Sequence, residues 1–281
     1  MTVGLHLSIA GGFHKAIERA TEEGADCLQI FCRSPRSWDG GDTKDIEAEA
    51  KRFRETRKKS GIGPIVVHAS YLINAATPDN ALYKKSLALL SKELSIAALL
   101  GAEFYVLHPG SRGQTSKEAA IERLADAVRA AVKKAGKDAP ALLIENTAGA
   151  GSQLGGDLLT IAAILNTLKG VKAGLCFDTC HAFASGLKMS DKTDALALTK
   201  LIDSTVGTKR LSLIHLNDSK GGLGSNIDRH EHIGKGRIGL TGLGAFLKIK
   251  EIRRVPVILE TPKNRAGDDK MNLKTTRALQ S

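Results

Sequence analysis

The chain is 281 residues long, with 42% apolar, 25% charged and only 4% aromatic side chains. A sizeable core must therefore come from Ala, Leu, Ile and Val. Its 41 basic and 30 acidic residues leave a net charge of +11, which fits a basic soluble surface and equally a polyanionic partner such as nucleic acid. The four cysteines, Cys27, Cys32, Cys176 and Cys180, include no CxxC pair. That excludes a disulfide framework and points to a reducing, cytoplasmic setting. The opening MTVGLHLSIAGG lacks a basic stretch leading into a long apolar one, so no secretory signal is read there. The most apolar helical stretch, around 86–100, carries Lys92 and Glu93 and is too short to span a bilayer.

In chain order, short apolar runs predict strands over 3–8, 26–31, 65–68, 104–108, 141–145, 174–178, 211–215 and 256–260. Between them, helical spacing predicts helices over 12–23, 43–60, 79–100, 115–135, 156–168, 191–204, 239–250 and 271–279. Eight strand–helix units of this length imply a parallel sheet, and a closed (β/α)8 TIM barrel accommodates them better than an open doubly wound sheet. With no linker and no low-complexity tract, the expectation is one domain over 1–281.

The strand ends carry the chemistry. Strands three to eight finish in turn on His68, His108, Glu145, Asp178 (with His181 close behind), His215 and Glu260. In a parallel barrel these ends share one face, where barrel active sites are built. One such histidine is most simply a satisfied polar residue; six converging ionisable groups would repel or stay desolvated without cations. Mixed His/carboxylate shells suit Zn²⁺ or Mn²⁺. Asp228 and His230, two apart, add a further pair on one side of an extended segment, which brings the candidates to nine. At roughly three to four protein ligands per catalytic zinc, nine ligands imply two or three ions.

The other histidines read more plainly. His6 divides evenly between the barrel mouth and a structural role, His14 is expected on the surface, and His232 reads either as a residue near the metals or as a plain loop histidine. The run Gly149–Gly155 has GxGxxxG spacing without the βαβ context of a dinucleotide site and reads as a tight loop. The basic run Lys51–Lys59 reads as the solvated face of the second helix.

HASYLIN (68–74), HPGS (108–111), IENTAGAGSQLG (144–155), DTCHAFASG (178–186), HLNDSK (215–220), DRHEHIGKGRIG (228–239) and LETP (259–262) together resemble the endonuclease IV family of apurinic/apyrimidinic endonucleases. The resemblance runs from GLHLSIAGG to the last strand and leaves the tail after Pro262 without a functional motif. It implies a TIM barrel with a trinuclear zinc site. His68, His108 and Glu145 would hold one ion. Glu145, Asp178, His215 and Glu260 would hold a second, with Glu145 bridging. His181, Asp228 and His230 would hold the third. It further implies hydrolysis of the phosphodiester 5′ to an abasic site in double-stranded DNA, leaving 3′-hydroxyl and 5′-deoxyribose phosphate ends, with removal of 3′-blocking groups. Glu145 would position the attacking hydroxide. No protein nucleophile is then needed, so Cys176 and Cys180 read as buried packing residues.

By the same resemblance Arg36, Trp38, Tyr71 and Leu72 would enter the minor groove and fill the space left by a flipped-out abasic nucleotide. Loop packing is the plain alternative for Trp38 and Tyr71. Sugar isomerases and epimerases of the xylose isomerase-like barrels also ring metals with His, Asp and Glu. They would need neither the His181/Asp228/His230 set nor a +11 surface. A module that binds damaged DNA without cutting it would not need the intact ligand set. Nothing in the sequence demands a dimer or an obligate protein partner.

Overall fold

A computed structural model describes residues 1–38 and 45–280. The elements run β1 (Val3–His6), α1 (Phe13–Glu23), β2 (Cys27–Phe31), α2 (Ile46–Ser60), β3 (Ile65–His68), α3 (Asn80–Leu100), β4 (Phe104–Leu107), α4 (Lys117–Ala135) and β5 (Ala141–Glu145). They continue with α5 (Leu158–Thr167), β6 (Ala173–Asp178), α6 (Thr179–Ala184), α7 (Lys192–Thr205), β7 (Leu211–His215), β8 (Asp218–Ser219), β9 (His230–Glu231), α8 (Gly239–Leu247), β10 (Val257–Leu259) and α9 (Asp268–Leu279). Eight parallel strands close in the order β1-β10-β7-β6-β5-β4-β3-β2, while β8 and β9 form a separate antiparallel pair. The expected TIM barrel is therefore present. Every expected strand and helix has its counterpart within a few residues at each end, and the expected start of the second helix at 43 lies outside the described residues.

Local chemistry sets the boundaries. Asp79 accepts from the Ala81 and Leu82 amides to open α3, and Ser116, Asp157 and Asp191 cap α4, α5 and α7 in the same way. Gly101 closes α3 at φ 68°, a left-handed turn that side chains with a Cβ adopt at a cost. Arg54 and Arg57 of the basic run donate to the carbonyls of Leu99 and Gly101, so two of its cations cap α3. Lys51, Arg52, Lys58 and Lys59 are exposed as expected.

Strand alternation builds the barrel interior in layers. Cys27, Val66, Val106, Leu143, Cys176, Leu213 and Ile258, one from each strand except β1, form a buried cluster apart from the main core. At the matching place in β1 stands Gly4, where an added Cβ would lie 2.1 Å from the Cys27 carbonyl oxygen. All four thiols are buried and unpaired, and Cys27 and Cys176 belong to this apolar layer. Two residues further along each strand, on the same inward face, stand His6, Gln29, His68, His108, Glu145, Asp178, His215 and Glu260. An apolar floor thus lies beneath a ring of eight polar side chains at the C-terminal mouth.

Candidate metal centre

Glu145 is fully buried at the middle of the ring. Its Oε2 lies 3.1 Å from His68 Nε2 and 2.9 Å from His108 Nε2. Its Oε1 lies 3.0 Å from His215 Nδ1 and 3.3 Å from His181 Nδ1. Glu260 Oε2 is 3.3 Å from His215 Nδ1. On the other side, His230 Nε2 sits 3.6 Å from Asp178 Oδ2 and 3.4 Å from Asp228 Oδ1, and His181 Nε2 is 3.2 Å from the same Asp228 oxygen. The structure thus brings all nine expected residues together. Asp228 reaches in from a loop, with 55% of its side chain exposed.

The electrostatics follow from this alternation of imidazole and carboxylate. Burial favours the neutral acid of Glu145, but His108, His215 and His181 hold its carboxyl well below the usual range. Glu260 is depressed likewise, burial being outweighed by His215 and His6. For His181 and His215 burial opposes the charged ring. Asp178, Asp228 and Glu145 around His181, and Cys176, Glu260 and Glu145 around His215, outweigh burial and raise both well above the ordinary value.

Divalent cations fit this arrangement on three counts. Outer ring nitrogens are spoken for: His68 Nδ1 lies 2.8 Å from the Ala69 carbonyl, His181 Nδ1 2.9 Å from that of Asn146, and His230 Nδ1 3.1 Å from that of Glu260. Carbonyl oxygens only accept, so each of these nitrogens carries a proton, which leaves Nε2 as the nitrogen that would give its lone pair to a bound cation. His230 Nε2 is buried without a hydrogen-bond partner, facing two carboxylates. Finally, the ligand atoms of His68/His108/Glu145, His68/His215/Glu260 and Asp178/His181/His230 each cluster tightly enough to share one ion. Cys176 also lies close to Glu145 and His215, and Cys180 close to Asp228 and His230; burial pushes both thiols up to about 12.

The sequence profile of a family described as Xylose isomerase-like TIM barrel matches residues 17–279. A protein named "Probable endonuclease 4" from Methanoculleus marisnigri is 42% identical over 99% of this chain and 98% of its own length. The crystal structure of endonuclease IV from Thermus thermophilus is similar with a TM-score of 0.88 at 40% identity, covering 99% of this chain and 98% of that one. This chain belongs to the endonuclease IV family. Membership makes it a hydrolase of the endonuclease class. A D-tagatose 3-epimerase-like protein is also similar, with a TM-score of 0.73 over 99% of this chain and 97% of that one. At 21% identity that likeness shows the fold alone.

Around the ring of candidate ligands stand polar residues that the strand-end pattern missed. Asn217 Nδ2 donates to Asp178 Oδ2 at 2.6 Å while its Oδ1 accepts from the Glu260 amide. Asn146 pairs in both directions with the Asp178 backbone. Gln29 touches His6, His215 and Glu260. Their signal in the sequence was position: Asn146 follows Glu145, Asn217 stands two after His215, and Gln29 is the lone polar residue in CLQIF. His6 does line the mouth, 3.2 Å from Glu260 Oε1.

At the rim of this ring Tyr71 is 58% exposed, its own ring 6.2 Å from that of His68 and 5.3 Å from that of Phe31. Leu72 is half-buried beside it and Arg36 is exposed. Trp38 packs partly against the main core with Lys85 5.9 Å from its ring. His14, expected on the surface, is buried where α1 meets α2, 3.7 Å from Glu49; the helical spacing of α1 puts it on the packed face. His232 takes the structural role, 3.0 Å from Asn272 of α9, so the tail after Pro262 braces the loop that carries Asp228 and His230. The Gly149–Gly155 run is a tight loop that bonds to Gly110 and Arg112 on the β4–α4 connection.

Proposed function

We propose that this protein is a zinc-dependent apurinic/apyrimidinic endonuclease of DNA repair, with the whole chain, 1–281, acting as one catalytic domain. It hydrolyses the phosphodiester 5′ to an abasic site in duplex DNA, leaves 3′-hydroxyl and 5′-deoxyribose phosphate ends, and also clears blocked 3′ ends. The observation that supports this most is the ring of inward-facing nitrogens and carboxylates at the barrel mouth of an endonuclease IV relative. His68, His108 and Glu145 would hold one zinc ion. Glu145, Asp178, His215 and Glu260 would hold a second. His181, Asp228 and His230 would hold a third, with Mn²⁺ able to serve in part. Bound ions supply neutralisation of the phosphate, acidification of water and stabilisation of the leaving oxygen.

The chain's own groups do the rest. Glu145 stays ionised, so it acts as a two-sided acceptor that orients water and not as a proton donor. Tyr71 and Leu72 would wedge into the minor groove beside the site, and an abasic nucleotide, having lost its stacking, leaves the helix at reduced cost. The +11 charge favours the phosphate backbone without reading sequence. We place the enzyme in the cytoplasm as a monomer; among the described residues no helix is long and apolar enough to cross a membrane.

The test is an end-labelled duplex carrying one tetrahydrofuran abasic analogue. Zinc-loaded protein should nick it once, on the 5′ side of the analogue, spare the undamaged duplex, and lose activity to a chelator. An intact abasic duplex would refute the reading.

A further inference from the structure

We infer that Gln29 is a positioning residue of the metal centre, acting through His215 and Glu260; this rests on the metal-dependent reading above. Gln29 is fully buried on β2, two residues above Cys27 on the inward face, with His6 and Val66 as its strand neighbours. Its Nε2 lies 2.6 Å from Glu260 Oε1 and 2.9 Å from His6 Nδ1, and its Oε1 lies 2.8 Å from His215 Nε2. The chemistry of the partners fixes the orientation of this amide. An ionised carboxylate only accepts, so the amide nitrogen must face Glu260. The amide oxygen then faces His215 and accepts its Nε2–H. That places the His215 proton on Nε2 and turns Nδ1 toward Glu145 Oε1 and Glu260 Oε2, the two carboxylate oxygens on the metal side.

His215 differs here from its neighbours. His68, His181 and His230 have their outer nitrogens held by backbone carbonyls, which no substitution removes. The outer nitrogen of His215 is held by a side chain. The same amide occupies Glu260 Oε1 and leaves Oε2 for the metal side, so one residue orients two ligands of one ion. Groups of this kind fix the tautomer of a ligating imidazole, and their loss lowers metal affinity about 10–100-fold. An apolar side chain at 29 would strand a buried N–H on His215 and remove a donor from Glu260.

The experiment uses the full-length, zinc-loaded protein and needs no DNA. Gln29→Met is close to glutamine in volume but cannot accept from His215. Zinc competition with a chelator should show one ion per chain held about 10–100-fold more weakly, and the others held as in the wild type. Imidazole nitrogen NMR should show His215 protonated at Nε2 in the wild type and a changed tautomer in Gln29→Met. Gln29→Glu keeps an acceptor opposite His215, so it should keep the wild-type tautomer. Wild-type zinc retention and His215 signals in Gln29→Met, or a changed tautomer in Gln29→Glu, overturn the proposal. A dependence on Gln29 in a protein that fails to nick abasic DNA would strike at the substrate alone; a wild type that holds no zinc would remove both.

Discussion

Asp218→Asn offers a perturbation whose size can be worked from the hydrogen bonds. The Asp218 carboxylate is fully buried and accepts only from backbone amides, which cannot reorient. Oδ1 takes Ser219 at 2.8 Å and Ile238 at 2.9 Å, Oδ2 takes Gly234 and Gly236 at 3.0 Å each, and the Gly239 amide is shared between them. Asparagine replaces one oxygen with an NH₂ group. Whichever side it takes, two backbone N–H groups then face a donor. An unsatisfied buried donor costs about 1–3 kcal/mol. Gly234 and Gly236 are only half-buried, so water recovers part of the loss there, and about 2–4 kcal/mol results. At roughly 2–4 °C per kcal/mol for a chain of this size, the thermal midpoint falls by about 4–16 °C. The same residue pairs across to the β9 strand that carries His230, so the third zinc, held by His181, Asp228 and His230, should be lost first. Calorimetry and chelator titration of Asp218→Asn beside wild type read both effects. A midpoint within about 1 °C of wild type, with equal zinc retention, would show that the Asp218 carboxylate does not hold this loop.

Tyr71→Ala and Leu72→Ala should weaken binding to an abasic duplex with a small effect on the single-turnover rate at saturation, because neither side chain reaches the reacting phosphate in the proposed arrangement. A fall confined to the rate would contradict that placement. For stripped, metal-free protein, His181 and His215 lie well above their unfolded value of 6.5, so their contribution is complete below pH 6.5 and is lost as pH rises through the raised values. Glu145 and Glu260 lie well below 4.5, so theirs is present above 4.5 and is lost in acid. The stripped protein should therefore be most stable between pH 4.5 and 6.5; a thermal midpoint that stays level as pH rises above 6.5 speaks against this account.

The barrel was legible because its strands are short apolar runs ending on ionisable residues, a pattern that period-two alternation converts into one ring. Six of the eight ring positions declared themselves that way. Gln29 did not: a single amide inside CLQIF looks like one polar position on a half-buried strand, and its role depends on which neighbours closure brings to it. His6 was ambiguous for the same reason, since Glu260 lies 254 residues away. His14 went astray because a charged stretch, FHKAIERATEE, hides which of its polar residues turns inward. The arginines that cap α3 were hidden among exposed cations of the same run, and only the packing of α2 on α3 separates them.

The central claim is metal-dependent cleavage organised by Glu145, whose two oxygens stand between His68 and His108 on one side and His215 and His181 on the other. The direct measurement is single-turnover nicking of an abasic duplex by wild type and Glu145→Gln, with zinc counted in the same samples. Glu145→Gln should fold, hold fewer ions per chain, and cut more than about 100-fold more slowly, beyond the 10–100-fold typical of groups that only support a ligand. A Glu145→Gln protein that keeps wild-type zinc content and cuts at the wild-type rate would contradict it.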